Sequence, residues 1–511
     1  MIFEITSDGV FYFGSLRILV YLETIFYLLF TALLLVIRRS YVRKSVFYSI
    51  ILYIIFSIFG HTYQYFVAPY TQTLSLAASA GLLLIFLVFQ NPDYERDRTT
   101  GMYRDLGLQK IKKEDALYNI NRPVIGLGFE NFYSLRSLYG DETFDIIFSK
   151  VAKYLRTIMP EYYIFYCRNG NFLAFYDGNI DRVQELKKEI LSRFSGPFKS
   201  ENEDVYLSPI FIYSTSDVPM ESLEIFYNSI HLAFDTAIAI GKGGVCQITN
   251  EIHDKAVRNV KVEKALKKAL HNNSLLVYYQ PIYSTLKGKI CSAEALVRLY
   301  DDELGILYPD EFIWRAEANG SVLTLGEQVF RKVCEFVSQQ DMEKLGLEFI
   351  DVNLSPLQCM RRQLAEEFET IMKEYHIDPK YINLEITETA STDIKVIKDN
   401  MNQLCDQGVT FALDDYGSGF SNLVNVLSLP LSIIKIDKSI VWAYFNDGND
   451  LLLRVIQTFE NKNLHLVVEG VETEEMAKKL AELGCHYEQG YFYSKPIPEV
   501  DFLNYLKQNK H

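Results

Sequence analysis

Carboxylate and amide side chains stand at the ends of a series of short apolar runs in the second half of this chain. VYYQPIYS (277–284) carries Gln280, ICSAEALVRLY (290–300) carries Glu294, and LEFIDVNLSP (347–356) carries Asn353. YINLEITET (381–389) carries Glu385 and Glu388, and VTFALDDYG (409–417) carries the adjacent pair Asp414 and Asp415. LSIIKIDKS (431–439) supplies Lys435 and Asp437, LHLVVEGVET (464–473) supplies Glu469 and Glu472, and CHYEQGYFYSKP (485–496) supplies Gln489. One adjacent aspartate pair is usually turn chemistry. The same chemistry at run after run needs another cause, because clustered carboxylates repel one another unless a cation sits between them. All-oxygen donors suit Mg²⁺ or Mn²⁺, whereas zinc favours His and Cys. Two adjacent aspartates let one strand end reach two ions. That is the logic of two-metal phosphodiester hydrolysis, in which the ions activate water and stabilise the leaving oxygen.

The elements that must position these residues follow from the spacing. Most gaps between the apolar runs have helical length and periodicity. One is EQVFRKVCEFVSQQ (327–340), with Val329, Val333 and Phe336 on one face. Apolar strands alternating with amphipathic helices predict βα units and a largely parallel sheet. Eight strands in roughly 240 residues match a closed α/β barrel of the (β/α)₈, TIM-like kind, whose chemistry sits at the C-terminal strand ends.

The remainder of the 511 residues needs further domains. The formal charge of −14 comes with no basic stretch that would point to duplex nucleic acid. Seven scattered cysteines without a CxxC pair argue against a zinc module or a disulfide framework, and for a reducing compartment. The first 90 residues hold three apolar runs, at about 18–37, 46–67 and 72–90, read as three transmembrane helices. The loop 38–45 carries Arg38, Arg39, Arg43 and Lys44, while 61–73 has neither Lys nor Arg. The positive-inside rule then places the N-terminus outside and everything after Gln90 in the cytoplasm. The expectation is a multi-pass protein of a bacterial cell membrane.

Two resemblances to known families follow from the motifs. DRTTGMYR (97–104) and GFENFYSLRSLYGDETFDIIFSKVAKYL (128–155) resemble the opening stretches of GGDEF domains, the diguanylate cyclases. Phe132, Tyr139, Gly140 and Asp145 keep that frame. A metal-binding Asp of the family is Gly128 here, its guanine-contacting Asn and Asp are Arg136 and Ser137, and YCRNGNFLAFY (166–176) lacks the acidic pair. Phosphoryl transfer needs carboxylates to hold the metal. Residues 97–250 are therefore read as a degenerate, α+β GGDEF-like domain that regulates or dimerises, with GTP as a possible ligand.

Residues 255–505 resemble the EAL domain, the cyclic-di-GMP phosphodiesterases. The resemblance rests on Glu294-Ala295-Leu296, Asn353-Leu354-Ser355, Glu385-Ile386-Thr387-Glu388 and DDYGSGF (414–420). It continues through Lys435-Ile436-Asp437, Glu469-Gly470-Val471-Glu472 and Gln489-Gly490-Tyr491. It implies a barrel with one antiparallel strand, a homodimer, and hydrolysis of cyclic-di-GMP to pGpG with Mg²⁺ or Mn²⁺. By that resemblance Glu294, Asn353, Glu385 and Asp414 hold one ion, and Asp415 with Asp414 a second. Lys435 and Glu469 orient or deprotonate water. Gln280, Arg298, Asp437, Glu472, Gln489 and Pro496 shape the nucleotide site, and Glu388 anchors the loop 416–423. The alternative is a catalytically inactive cyclic-di-GMP receptor. Such proteins usually lose a metal ligand or the loop anchor, and none is missing here. His253-Asp254 suggests an HD-type hydrolase, but no other histidine stands at metal-ligand spacing, so His253 is read as an interdomain surface residue.

Overall fold

The computed structural model describes residues 3–5, 11–13, 22, 26, 30, 44–66, 96–118, 120–200, 203–387, 394–417, 428–459 and 464–508. The chain divides into two compact units, Met1–Asp254 and Lys255–His511.

In the first unit two short strands, Phe3–Ile5 and Phe11–Phe13, pair antiparallel. Of the expected membrane spans, 18–37 and 72–90 lie outside the described residues, apart from Leu22, Phe26 and Phe30. The third coincides with the helix Lys44–Phe66. Among the described residues no helix is long and apolar enough to cross a membrane. The reason is visible in the sequence of that helix. Its apolar run, 46–59, gives way to Gly60-His61-Thr62, and 14 residues cover only about 21 Å at ~1.5 Å per residue, short of a hydrocarbon core of ~30 Å. Among the described residues the expected multi-pass topology is therefore not supported.

The same unit contains a mixed six-stranded sheet. Its strands are β1 (Tyr103–Arg104), β2 (Val124–Phe129), β3 (Ile164–Tyr166), β4 (Phe172–Phe175), β5 (Pro209–Ser214) and β6 (Val245–Ile248), in the order β6-β5-β2-β4-β3-β1. The central strands β2 and β5 are buried along their whole length. Two apolar clusters account for this, one built around Phe148, Val151 and Leu186, the other around Phe226, Ala233 and Ile248.

The second unit is a closed eight-stranded barrel. Its strands are β7 (Leu276–Ser284), β8 (Lys289–Asp301), β9 (Phe349–Leu354), β10 (Ile382–Thr387), β11 (Thr410–Tyr416), β12 (Ile433–Ile436), β13 (His465–Val468) and β14 (Tyr487–Gln489). Pairing runs in that order and closes through β14 and β7. β7 is antiparallel to both neighbours, and all other pairs in the ring are parallel. This is the one antiparallel strand that the EAL resemblance implies and that the count of apolar runs does not show. Only four residues, 285–288, separate β7 from β8. That is enough for a hairpin, whereas a parallel crossover needs a dozen or more.

Period-two alternation sorts the strand residues. Leu384, Ile386, Phe411, Leu413, Ile434, Ile436, Leu466 and Val468 belong to the large apolar cluster shared with the surrounding helices. The alternate residues face the barrel interior in two layers. The lower layer includes Ile282, Ala412, Ile433, Val467 and Tyr487, which pack together. The upper layer is Gln280, Glu294, Asn353, Glu385, Asp414, Lys435, Glu469 and Gln489, one residue from each strand.

Candidate active site

The upper layer has one cation and a crowd of carboxylates. Lys435 Nζ lies 3.1 Å from Glu294 Oε2, 2.8 Å from Glu385 Oε1, 3.3 Å from Asp414 Oδ1 and 2.9 Å from Glu469 Oε1. Its side chain is 1 % exposed. Burial alone would push the Lys435 ammonium down, but Asp414, Glu294, Glu385 and Glu469 together hold it well above its ordinary value. One positive charge cannot serve four acids equally. Glu294 has two amide donors besides the lysine, Asn353 and Gln489. Burial opposes its charge, yet Lys435, Gln489 and Asn353 pull its pKa below normal. Asn353 Nδ2 donates to Glu294 Oε1 at 2.8 Å, and Gln489 Nε2 to Glu294 Oε2 at 2.7 Å. Glu385 is pushed well up by burial and by Glu294, and Glu469 up to about 8, chiefly by burial.

Both adjacent aspartates reach the site for a geometric reason. Successive strand residues point to opposite faces, so an ordinary strand could not aim both Asp414 and Asp415 at the site. β11 is bulged here: Leu413 pairs with Ile434 and Tyr416 with Ile436, three steps against two. Asp415 takes up the extra residue with φ +55°, a left-handed conformation that is costly without glycine. As a result Asp414, Asp415 and Glu469 each bring an oxygen within 4.8 Å of the others. Burial and Asp414 push Asp415 up to about 6. Glu385 Oε2 is buried with no hydrogen-bond donor. An orphaned carboxylate oxygen, a three-acid cluster and an all-oxygen donor set fit divalent cations such as Mg²⁺ or Mn²⁺.

Other predicted residues frame this centre. Gln280 faces Glu294 across the β7–β8 ladder, accepts from Gln489 Nε2 at 3.2 Å and donates to the Ser494 carbonyl at 3.2 Å. Arg298 is buried, donates to the Val297 carbonyl at 2.8 Å, and lies 5.5 Å and 5.2 Å from the Tyr278 and Tyr308 ring centres. Asp437 caps the helix Lys438–Asp447 by accepting from the Ser439 amide at 2.9 Å. Glu472 is exposed and Pro496 half-buried. Glu294 acts by charge on Arg298, and Asp437 on Asp415. Glu388 and most of the loop 416–423 lie outside the described residues.

One site residue and one backbone feature escaped the sequence reading. Asp351, on the lower layer of β9, is fully buried, accepts from Asn383 Nδ2 at 2.5 Å and is pushed up to about 7 by burial. Period two would have found it, since it stands two residues before Asn353. The bulge at Asp415 has no sequence signal of its own. A cavity of about 1100 Å³ opens beside the centre, lined by Glu294, Asn353, Asp414 and Asp415, and by the helix Pro309–Asn319.

In the first unit a cavity of about 560 Å³ is lined by Asp105, Gly128, Tyr133, Asn169, Tyr227 and Phe234, among others. A Cβ on Gly128 would lie 2.7 Å from Asn171 Oδ1 and 2.8 Å from Phe234 Cε1, so a carboxylate does not fit there without repacking. The reading of His253 is corrected too. It is buried, with Nε2 3.4 Å from Glu221 Oε2, and so is not a surface residue.

An eight-stranded barrel with one reversed strand thus carries, at its strand ends, a bulged aspartate pair and a lysine-centred carboxylate cluster whose oxygen donors suit divalent cations. Residues 263–496 match the sequence model of the EAL domain. The chain is 26 % identical over 394 residues to the bifunctional diguanylate cyclase/cyclic di-GMP phosphodiesterase MucR of Pseudomonas aeruginosa, covering 74 % of this chain and 56 % of that protein. It is 26 % identical over 391 residues to the cyclic di-GMP phosphodiesterase PdeR of Escherichia coli, covering 75 % and 59 %. Both matches reach beyond the EAL domain. The chain thus spans little more than half the length of these relatives. Among solved structures, the MucR phosphodiesterase in complex with c-di-GMP is 29 % identical, covers 47 % of this chain and 99 % of that one, and gives a TM-score of 0.45.

Proposed function

We propose that the chain is a phosphodiesterase that hydrolyses cyclic-di-GMP to the linear dinucleotide pGpG. The observation that carries this is the upper barrel layer, in which Lys435 meets Glu294, Glu385, Asp414 and Glu469 within 3.3 Å. In this reading Glu294, Asn353, Glu385 and Asp414 hold one divalent ion, and Asp415 with Asp414 a second. When bound, the ions lower the pKa of water and offset charge on the leaving oxygen. Lys435 orients the attacking water, and Glu469 accepts its proton. Gln489 and Asn353 fix the Glu294 carboxylate by donating to its two oxygens. Arg298 offers its guanidinium to a phosphate, with Gln280, Asp437, Glu472 and Pro496 completing the nucleotide site. Glu388 anchors the loop that follows Asp415.

The proposal extends to a homodimer and to GTP as a regulatory ligand of the 560 Å³ cavity in the first unit. It excludes cyclase activity, on account of Gly128 and the missing acidic pair. The test is Glu294→Ala in the full chain, with pGpG formation followed in Mg²⁺ or Mn²⁺. Turnover should fall by at least about a thousandfold, in line with loss of an ion worth several kcal/mol in the transition state. Unchanged turnover removes the assignment.

A further inference from the structure

The helix Pro309–Asn319 is not explained by the metal chemistry. Asp310, Ile313, Trp314 and Glu317 all line the 1100 Å³ cavity that also holds Glu294, Asp414 and Asp415. Their spacing of i, i+3, i+4 and i+7 makes one helical stripe, so the helix turns a single face to the cavity. Trp314 is 47 % exposed, an unusual state for so large an apolar ring. Its position is nevertheless defined. The Arg315 guanidinium carbon lies 4.0 Å from its ring centre, and Arg315 is itself buried, with Nε and Nη2 unpartnered. Those spare donors leave the guanidinium engaged with the ring by cation–π attraction.

We propose that this helix reads one base of the substrate: Trp314 is the platform on which a guanine stacks, and Asp310 and Glu317 accept hydrogen bonds from its edge. The inference rests on the cyclic-dinucleotide reading above and adds to it the residues that choose the base. An indole and a purine are both flat and polarisable, and base–aromatic stacking is worth ~1–3 kcal/mol per base. Stacking alone does not discriminate, since every base has a π-face. The flanking carboxylates do. Guanine presents adjacent N1–H and N2–H₂ donors on its Watson–Crick edge, which one carboxylate accepts together. Adenine presents an acceptor at N1, which a carboxylate repels. Asp310 is exposed and Glu317 half-buried, and against the wrong base each carboxylate loses the paired donors that guanine supplies, which is the source of rejection.

The test uses the full chain and two probes, cyclic-di-GMP and cyclic-di-AMP. The chain has two tryptophans, Trp314 and Trp442. Trp442 Nε1 donates to the Gly470 carbonyl at 2.9 Å, so Trp314→Phe separates the two emissions. With EDTA present, cyclic-di-GMP should quench tryptophan emission of the wild type saturably, and Trp314→Phe should lose that quenching. With metal present, Trp314→Ala should raise KM about tenfold while kcat stays within about twofold, the pattern of lost substrate binding. Glu317→Gln and Asp310→Asn together should narrow the preference for cyclic-di-GMP over cyclic-di-AMP by about tenfold. An enzyme that cleaves cyclic-di-GMP with the same KM after Trp314→Ala overturns the inference and leaves the proposed function standing. A wild type that neither binds nor cleaves cyclic-di-GMP overturns both.

Discussion

Lys435 decides the state of the site. Its ammonium is the single cation within reach of Glu294, Glu385, Asp414 and Glu469 among the described residues, and it is almost wholly buried. Removing one partner of a buried ion cluster leaves uncompensated charge and costs ~3–5 kcal/mol. Lys435→Met should therefore lower the unfolding free energy by about that amount in EDTA, measured by urea denaturation. Millimolar Mg²⁺ should restore part of the loss, because an ion that binds only the folded state stabilises it. An equal loss with and without Mg²⁺ would mean that the acids do not form a cation site. The lysine itself was legible in the sequence, as a charge stranded in the apolar run LSIIKI. So were its carboxylate partners, because each closes a run of its own. The reason that both aspartates can face the site was not legible. It depends on a one-residue bulge in β11 and on a left-handed backbone at Asp415, neither of which changes the pattern of apolar residues.

At the scale of elements, the strand ends are fixed by close backbone approach. Gly490 follows Gln489 at the end of β14, where a Cβ would stand 2.0 Å from the Val471 carbonyl oxygen and 2.4 Å from its nitrogen. Backbone cannot yield as a side chain can, so Gly490→Ala should destabilise the barrel by about 2 kcal/mol or more, with thermal unfolding as the readout. It should also reduce hydrolysis by displacing Gln489 from Glu294. A second element-scale feature is Glu488, which is buried beside Tyr493, whose hydroxyl donates to Oε2 at 2.5 Å. Burial pushes Glu488 up to about 7. A carboxyl raised in the folded state adds stability below its unfolded value, near 4.5, and loses that contribution as pH rises through about 7. Glu488→Gln should thus raise the midpoint of thermal unfolding by a few degrees at pH 8 and change it little at pH 4. The same shift at both pH values would show that Glu488 is not held neutral. The alternation of strands and helices was readable from periodicity, because each barrel strand buries one face under helices and the other in the interior. The reversed first strand followed from the family resemblance and not from periodicity, because strand direction depends on connection length and alternation is the same in both directions.

For the molecule as a whole, the two units carry different amounts of information in their sequences. The barrel places its polar residues at the strand ends, so its candidate site could be picked out from residue types alone. The first unit has lost the acidic residues that would identify an activity, and its cavity is formed by residues distant in sequence, Asp105, Asn169 and Tyr227 among them. No motif announces such a cavity. The expected membrane span at 46–67 shows the opposite failure. Hydropathy over 46–67 overstated an apolar run that ends at Gly60, within the helix Lys44–Phe66.

The central claim is metal-dependent cleavage of a cyclic dinucleotide, and its most direct test is to incubate the purified full-length protein with cyclic-di-GMP and Mg²⁺ or Mn²⁺. The account predicts conversion to pGpG that stops on adding EDTA and resumes when the metal is restored. Tight binding of cyclic-di-GMP with no pGpG under any metal condition would contradict it, and would make the protein a receptor instead of an enzyme.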